Sequence, residues 1–218
     1  MMQLQYMFQN QKLLHTALTH ISYANEHNIE SNQRLEFLGD SVLSFVVASY
    51  LYKQFPDLDE GRLTEMRAHV VCEKTLAAIA RKIDLGSRVR FGKSEEVCGG
   101  KDKDSILADT FEAVLGAIFL DGGIEPARAW IMQQLQRTMD DAVAIDFTNY
   151  KSEIQNYFQK RDKGTDVVTY RLVSRQGPDH KPTFNVEALY RGKVIGAGSG
   201  GSRKEAEQQA AKQAFQAL

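Results

Sequence analysis

Cysteine is scarce in this chain. Two of the 218 residues, Cys72 and Cys98, are too few for a disulfide framework or a thiolate metal site. The five histidines are scattered, without the spacing of zinc ligands. Long apolar runs are missing as well: the charge-free stretch Ser41 to Tyr52 covers 12 residues, too short to span a bilayer. The opening MMQLQYMFQNQKLL lacks the basic-then-apolar order of a secretory leader, so the expected location is cytoplasmic, with no membrane partner. There is no internal repeat and no low-complexity segment. Against these absences stand 43% hydrophobic and 25% charged residues, the balance of a soluble chain with a sizeable core. Its length suits two small domains better than one large one.

The net charge of -1 hides an asymmetry. Residues 1–146 hold 15 Lys/Arg against 21 Asp/Glu, whereas residues 147–218 hold 12 against 7. An acidic part of net -6 is therefore joined to a basic part of net +5. This disfavours a simple basic wrapper of nucleic acid. It suits a chain in which one module attracts a polyanion and the other holds cations through carboxylates.

The acidic part reads as helical. Leu13, Leu14, Ala17 and Leu18 lie at helical spacing, and a polar stretch runs from Asn25 to Gln33. A long helix is predicted over Ser31 to Phe55, stopped by Pro56, with Leu35, Leu38, Val42, Phe45, Val46 and Ser49 on its apolar side. A further helix opens near Asp59 and contains Leu63, Met66, Val70 and Leu76 through Ile79. Glycine and alternating charge make Leu85 to Lys103 a loop with at most a short helix. Ser105 is suited to cap a helix from Ile106 to Leu120. Pro126 suits the start of the next, which extends to about Met139. No strand-like alternation of any length occurs in the first 140 residues.

The period changes after Asp146, and the domain boundary is placed between Asp140 and Thr148. A helix over Tyr150 to Gln159 is followed by three alternating segments, Val167 to Ser174, Thr183 to Tyr190 and Lys193 to Gly198. Arg191-Gly192 is a short turn, and Ser202 opens a final helix over Arg203 to Leu218. The expected architecture is an all-α domain, 1–146, followed by a small α+β domain, 147–218, ordered α-β-β-β-α.

Two acidic pairs lie on helices that otherwise look buried. Glu36 and Asp40 are four residues apart and Asp109 and Glu112 three apart, so each pair shares a helical face. An ionised carboxylate in apolar surroundings is costly unless it is paired or bound to a metal. If the helices cross, four carboxylates surround one volume and raise each other's pKa unless a divalent cation neutralises them. Oxygen donors alone point to Mg²⁺ or Mn²⁺. The blander alternative is that each pair is a solvated surface feature, with Arg34 bridging Asp40 or Glu30 and Arg67 or Lys74 bridging Glu112. Glu60 and Glu65 are weaker candidates, in an acidic and exposed stretch.

The runs QRLEFLGDSVL and ILADTFEAVLGAIFLD resemble the two signature segments of the bacterial ribonuclease III family. DEGRLTEMRAHVV is similar to that family's middle segment, and the region after Asp146 resembles its C-terminal double-stranded-RNA-binding domain. The resemblance covers nearly the whole chain. It implies a Mg²⁺-dependent endonuclease for double-stranded RNA, with Mn²⁺ as a substitute, acting as a homodimer with two active sites across a valley. It also implies 5′-phosphate and 3′-hydroxyl ends with two-nucleotide 3′ overhangs, and a role in ribosomal and other RNA processing. Glu36, Asp40, Asp109 and Glu112 fall on the family's catalytic, metal-binding carboxylates, and Glu60 on an auxiliary acidic position at the cleft. Phe37 matches the aromatic that packs into the partner subunit. One departure is Gln33, where the signature often has Glu; it reaches the same face but carries no charge.

In the basic part, Arg203 and Lys204 begin the last helix after a glycine-rich turn, an arrangement suited to phosphate; Lys212 lies further along. Double-stranded RNA offers 2′-hydroxyls in a shallow minor groove. Ser152, Gln155, Gln159 and the loop residue His180 are the short polar groups available for them, and they coincide with the RNA-contact regions of the resembled family. His20 and His69 are available as bases, but their helical surroundings favour structural roles. The rival functions are a non-catalytic double-stranded-RNA-binding protein and a scaffold whose acidic helices serve only as interface.

Overall fold

Residues 4–142, 149–163, 167–178 and 181–218 are described by the computed structural model. Their contacts divide the chain into two units, Met1–Phe147 and Thr148–Leu218. The first is helical: α1 (Gln11–Ala17), α2 (Ile21–His27), α3 (Gln33–Gln54), α4 (Glu60–Val70), α5 (Glu73–Lys82), α6 (Lys93–Val97), α7 (Asp104–Gly122) and α8 (Ile124–Ala142). A helix that is apolar on all sides belongs at the centre of a bundle. In α7, Ile106, Leu107, Phe111, Val114, Leu115 and Ile118 are all buried.

The longest helix, α3, crosses α7 with the two backbones in contact. A Cβ added to Gly39 of α3 would lie 1.8 Å from the carbonyl oxygen of Glu112, and one added to Gly116 of α7 would lie 2.2 Å from that of Leu35. No side chain fits between the helices at this crossing. By length and composition α3 also passes as a membrane span, yet Leu43, Val46, Val47 and Leu51 are buried in the protein core.

Several local expectations need correction. α2 fills part of the stretch read as polar; His20 caps it by accepting the Ser22 N–H at Nδ1. The helix opened by Asp59 is two helices, because Cys72 is extended and starts α5 as its cap. Ser105 lies inside α7, whose cap is Lys103. Phe45 is 57% exposed, so it stands off the buried stripe of α3 rather than on it.

The second unit contains α9 (Tyr150–Asp162), β1 (Thr169–Gln176), β2 (Thr183–Tyr190), β3 (Lys193–Gly200) and α10 (Arg203–Gln216). The strands form an antiparallel sheet in the order β1-β2-β3. Arg191 and Gly192 both have positive φ, the conformation that a two-residue hairpin turn requires. Ile154 and Phe158 of α9, Ala188 and Tyr190 of β2, and Ala210, Ala211 and Ala214 of α10 make the core. The helix α10 lies directly on β3, since a Cβ on Gly198 would come within 2.2 Å of the Ala210 nitrogen. The result is an all-α unit followed by a small α+β unit.

Adding one methyl at the α3–α7 crossing should be severely destabilising. Gly39→Ala collides with backbone rather than with a side chain that could rotate away. The expected loss is about 3 kcal/mol, the upper end of the usual overpacking range, read from the urea midpoint; an unchanged midpoint would exclude this close crossing.

Candidate metal centre and nucleic-acid interface

The crossing of α3 and α7 decides which acids meet. Gly39 sits between Glu36 and Asp40, and its contact is the backbone of Glu112 itself. Carboxylate oxygens of Glu36, Asp109 and Glu112 all lie within 4.8 Å of one another, and all three residues are half-buried. These groups could hold a divalent cation, and an all-oxygen donor set is that of a hard ion. Asp40 is exposed and stands outside this trio, but its charge acts on both Glu36 and Glu112. Glu60 is exposed in the first turn of α4 and accepts from the Thr64 hydroxyl at 3.5 Å. Arg34 bridges Glu30 at 3.3 Å.

Two neighbours were not singled out in the sequence. Glu73, in the first turn of α5, adds negative charge at Asp109. Glu95 pairs with Lys103 at 2.6 Å, and both act on His20, as does Asp109. None of these carries a spacing signal; the packing of α5 and the α6 segment brings them close. The His20 ring uses Nδ1 to cap α2 and is held below its usual pKa chiefly by burial. His20 thus stabilises a helix end beside the acids.

In the second unit Ser152, Gln155 and Gln159 lie three and four residues apart, on one face of α9. Ser152 and Gln159 are exposed, while Gln155 is partly buried and accepts the Val168 N–H at 2.6 Å. At the start of α10 Ser202 caps by accepting from the Glu205 N–H, and Arg203 and Lys204 are exposed. Arg203 donates from Nε to Glu207 at 2.9 Å. Lys212 places its ammonium 5.3 Å from the centre of the Tyr150 ring. His180 lies outside the described residues.

Electrostatics mark the acidic trio as a place where positive charge is wanted. Burial first, and then the charges of Asp40, Asp109 and Glu36, push the Glu112 carboxyl from its ordinary 4.5 up to about 8. Glu36 is raised by burial and by Asp109 and Asp40. Asp109 is raised by burial and Glu73. All three shifts have the sign expected of desolvated like charges without a counter-ion. When such a group unfolds, its pKa returns to the ordinary value. Between about 4.5 and 8 the folded state therefore holds the extra proton at Glu112, and stability falls as pH rises through that interval. In EDTA the melting temperature of the first unit should drop over this range. Glu112→Gln should flatten the drop, and a divalent cation should restore stability at the alkaline end. An equal slope in the Gln variant would contradict the assignment.

The sequence compares closely with known proteins. Residues 10–139 match the Ribonuclease-III-like family, and residues 150–218 match the double-stranded RNA binding motif. Ribonuclease 3 of Desulforamulus reducens is 51% identical over 214 residues, covering 96% of this chain and 86% of that protein. Ribonuclease 3 of Caldanaerobacter subterraneus is 48% identical over 216 residues, covering 98% and 94%. A solved nuclease domain of ribonuclease III from Campylobacter jejuni, described for flexibility in a region involved in dimer formation, superposes with a TM-score of 0.59. It is 42% identical and covers 62% of this chain and 92% of that one. By sequence over nearly its full length, with an acidic helical unit and a following α+β unit to match, the chain belongs to the ribonuclease III family.

Proposed function

We infer that this protein is a Mg²⁺-dependent endonuclease that hydrolyses phosphodiester bonds in double-stranded RNA. The observation that carries this reading is the convergence of Glu36, Asp109 and Glu112 within 4.8 Å in a chain of the ribonuclease III family. The donor set fits Mg²⁺: carboxylate oxygens only, half-buried, with protons raised onto them when no cation is near. Glu36, Asp109 and Glu112 would hold the ion, with Asp40 adding charge at the open side. Bound there, Mg²⁺ supplies Lewis acidity toward a phosphodiester and toward a water.

The chain's own residues do the rest. Burial of Glu112 removes competing water from one side of the carboxylates, and exposure of Asp40 leaves the other side open to a phosphate. No side-chain nucleophile is assigned. The Ser152, Gln155 and Gln159 face, with Arg203, Lys204 and His180, is the proposed contact for duplex RNA; phosphates fall to the two cations and 2′-hydroxyls to the polar groups. Products with 5′-phosphate and 3′-hydroxyl ends and a two-nucleotide stagger follow if two such sites act across a homodimer, with ribosomal precursors among the substrates.

Phe37 supports the dimer. It is 78% exposed beside a groove of about 650 Å³ lined by Leu13, Leu35, Leu38 and Leu120. Leu120 is itself 54% exposed. An aromatic ring left in water next to an apolar groove suits a two-fold contact in which each protomer offers both features.

Incubation of a labelled RNA duplex with and without Mg²⁺ tests the activity. Cleavage should require the ion, and Glu112→Gln should lower it by orders of magnitude while duplex binding in EDTA persists. Full activity of the Gln variant would remove the metal assignment, and a scaffold would show no cation site weakened by it. Sedimentation checks the assembly. The chain should be dimeric at micromolar concentration, and Phe37→Ala should weaken the dimer, since burying such a ring contributes about 1.5–3 kcal/mol. A monomeric unmutated protein would refute the arrangement.

A further inference from the structure

One acid in the second unit stands where a polyanion-binding surface should not want it. Of the two glutamates near the start of α10, Glu205 has a local duty. Its backbone N–H meets the Ser202 hydroxyl, and its carboxylate accepts the Gly201 N–H at 2.8 Å, closing the helix end. Glu207 has no share in the cap. Its Oε1 accepts from Arg203 Nε at 2.9 Å and its Oε2 from Lys151 Nζ at 2.6 Å, so one carboxylate joins the starts of α9 and α10. Its side chain is 14% exposed, against 59% for Arg203 and 36% for Lys151.

We propose that Glu207 is a positioning residue for duplex RNA, holding Lys151 and Arg203 as a preset pair of phosphate contacts. The inference rests on reading residues 150–218 as the RNA-binding unit. It adds Lys151 to the contact set and gives an acid a supporting role in recognising a polyanion.

The geometry orients the two cations without cancelling them. An ammonium has three donors and a guanidinium five. Glu207 takes one from each, through Nζ and Nε, and Arg203's Nη groups remain for a phosphate. Two positive charges against one negative leave the cluster positive. Long flexible cations lose side-chain freedom when they settle on a phosphate; cations already fixed have less to lose, and binding gains by that difference.

Other contacts hold the cluster from below. The Lys151 backbone N–H donates to Gln208 Oε1 at 3.2 Å, and its ammonium lies 4.6 Å from the centre of the Tyr170 ring. The buried Tyr170 hydroxyl has no hydrogen-bond partner among the described residues. Its pKa is pushed up to about 12 by burial and by the charge of Glu207. Glu207 itself is held below the usual carboxylate range although burial opposes this, because hydrogen bonds from Lys151 and Arg203 outweigh it. The acid is therefore charged at neutral pH. An exposed Arg–Glu pair one helical turn apart is ordinarily worth little; here a nearly buried carboxylate spans two helices.

The test turns on a sign. Simple electrostatics says that Glu207→Gln removes a negative charge facing RNA and tightens binding. Positioning says the reverse. Binding of the full chain to a fluorescent RNA duplex in EDTA, where no cleavage occurs, should weaken about three- to tenfold in the Gln variant at physiological salt. The loss should shrink in a Lys151→Met background, where half of what Glu207 holds is already gone. Thermal melts on the same samples verify folding. Should the Gln variant unfold, Lys151→Met and Arg203→Met carry the test, with less-than-additive losses expected from a shared carboxylate. Unchanged or tighter binding by folded Glu207→Gln, or strictly additive losses, overturns the proposal. If the unmutated chain binds RNA and DNA duplexes equally, the RNA-binding reading fails instead, and that outcome is visible before any variant is compared.

Discussion

The contact between the backbones of α3 and α7 at Gly39 and Gly116 governs the first unit. Helices separated by ordinary side chains keep their axes 8–10 Å apart. Here the glycines let the Glu112 carbonyl occupy the place of a Gly39 side chain, and the Leu35 carbonyl that of a Gly116 side chain. Glu36 and Asp40 flank the first glycine, and Glu112 and Asp109 precede the second by one and two turns. The approach that packs the bundle therefore also crowds its carboxylates. Fold and site share one constraint.

That constraint explains why the acids tolerate a position that costs stability. Half-burial together with neighbouring acids, Glu73 in the case of Asp109, pushes Glu112, Glu36 and Asp109 toward the protonated state, so without a counter-charge the bundle carries strain at neutral pH. The apolar shell of α7, with Phe111, Val114 and Leu115 fully buried, fixes the helix against relaxation that would let the carboxylates drift apart. A rigid core holding repelling acids is what a tight cation site needs: the repulsion is incurred on folding and relieved on binding.

Long features were legible in the sequence and short ones were not. The apolar periods of α3 and α7 exceed four turns, and they disclosed both helices and the shared faces of their acidic pairs. The alternating strands and the Arg191-Gly192 turn likewise disclosed the α+β unit. α2 escaped because its seven residues, ISYANEH, give too few repeats for a period to register. The break at Cys72 escaped because no glycine or proline marks it. Phe45 looks like a core position because α3 is apolar over more than one face, and hydropathy does not say which of those residues a neighbour covers. At the site, sequence pattern placed four acids on two faces; the helix crossing, which is tertiary, brings three into one volume and leaves Asp40 at the rim. Glu73 carries no local signal, because it acts on a residue distant in sequence; Glu207 shows only an ordinary i,i+4 spacing to Arg203, and its second partner, Lys151, is distant.

The two units put opposite charges to related uses. In the first, acids are massed where a cation would relieve them. In the second, net positive charge is organised by acids: Glu205 closes a helix end, Glu207 joins two cations, and Glu187 is bonded across strands to Arg171 at 2.6 Å. Net charge attracts a polyanion over distances comparable with the Debye length, but it does not arrange contacts. Arrangement needs partners that hold long side chains still, and in a basic unit those partners are carboxylates. If the second unit binds RNA as proposed, counting its acids only as subtractions from affinity misreads them. In the proposed reading, a nearly buried acid bonded to Lys151 and Arg203 belongs to the binding surface, while an acid free in solvent merely opposes it.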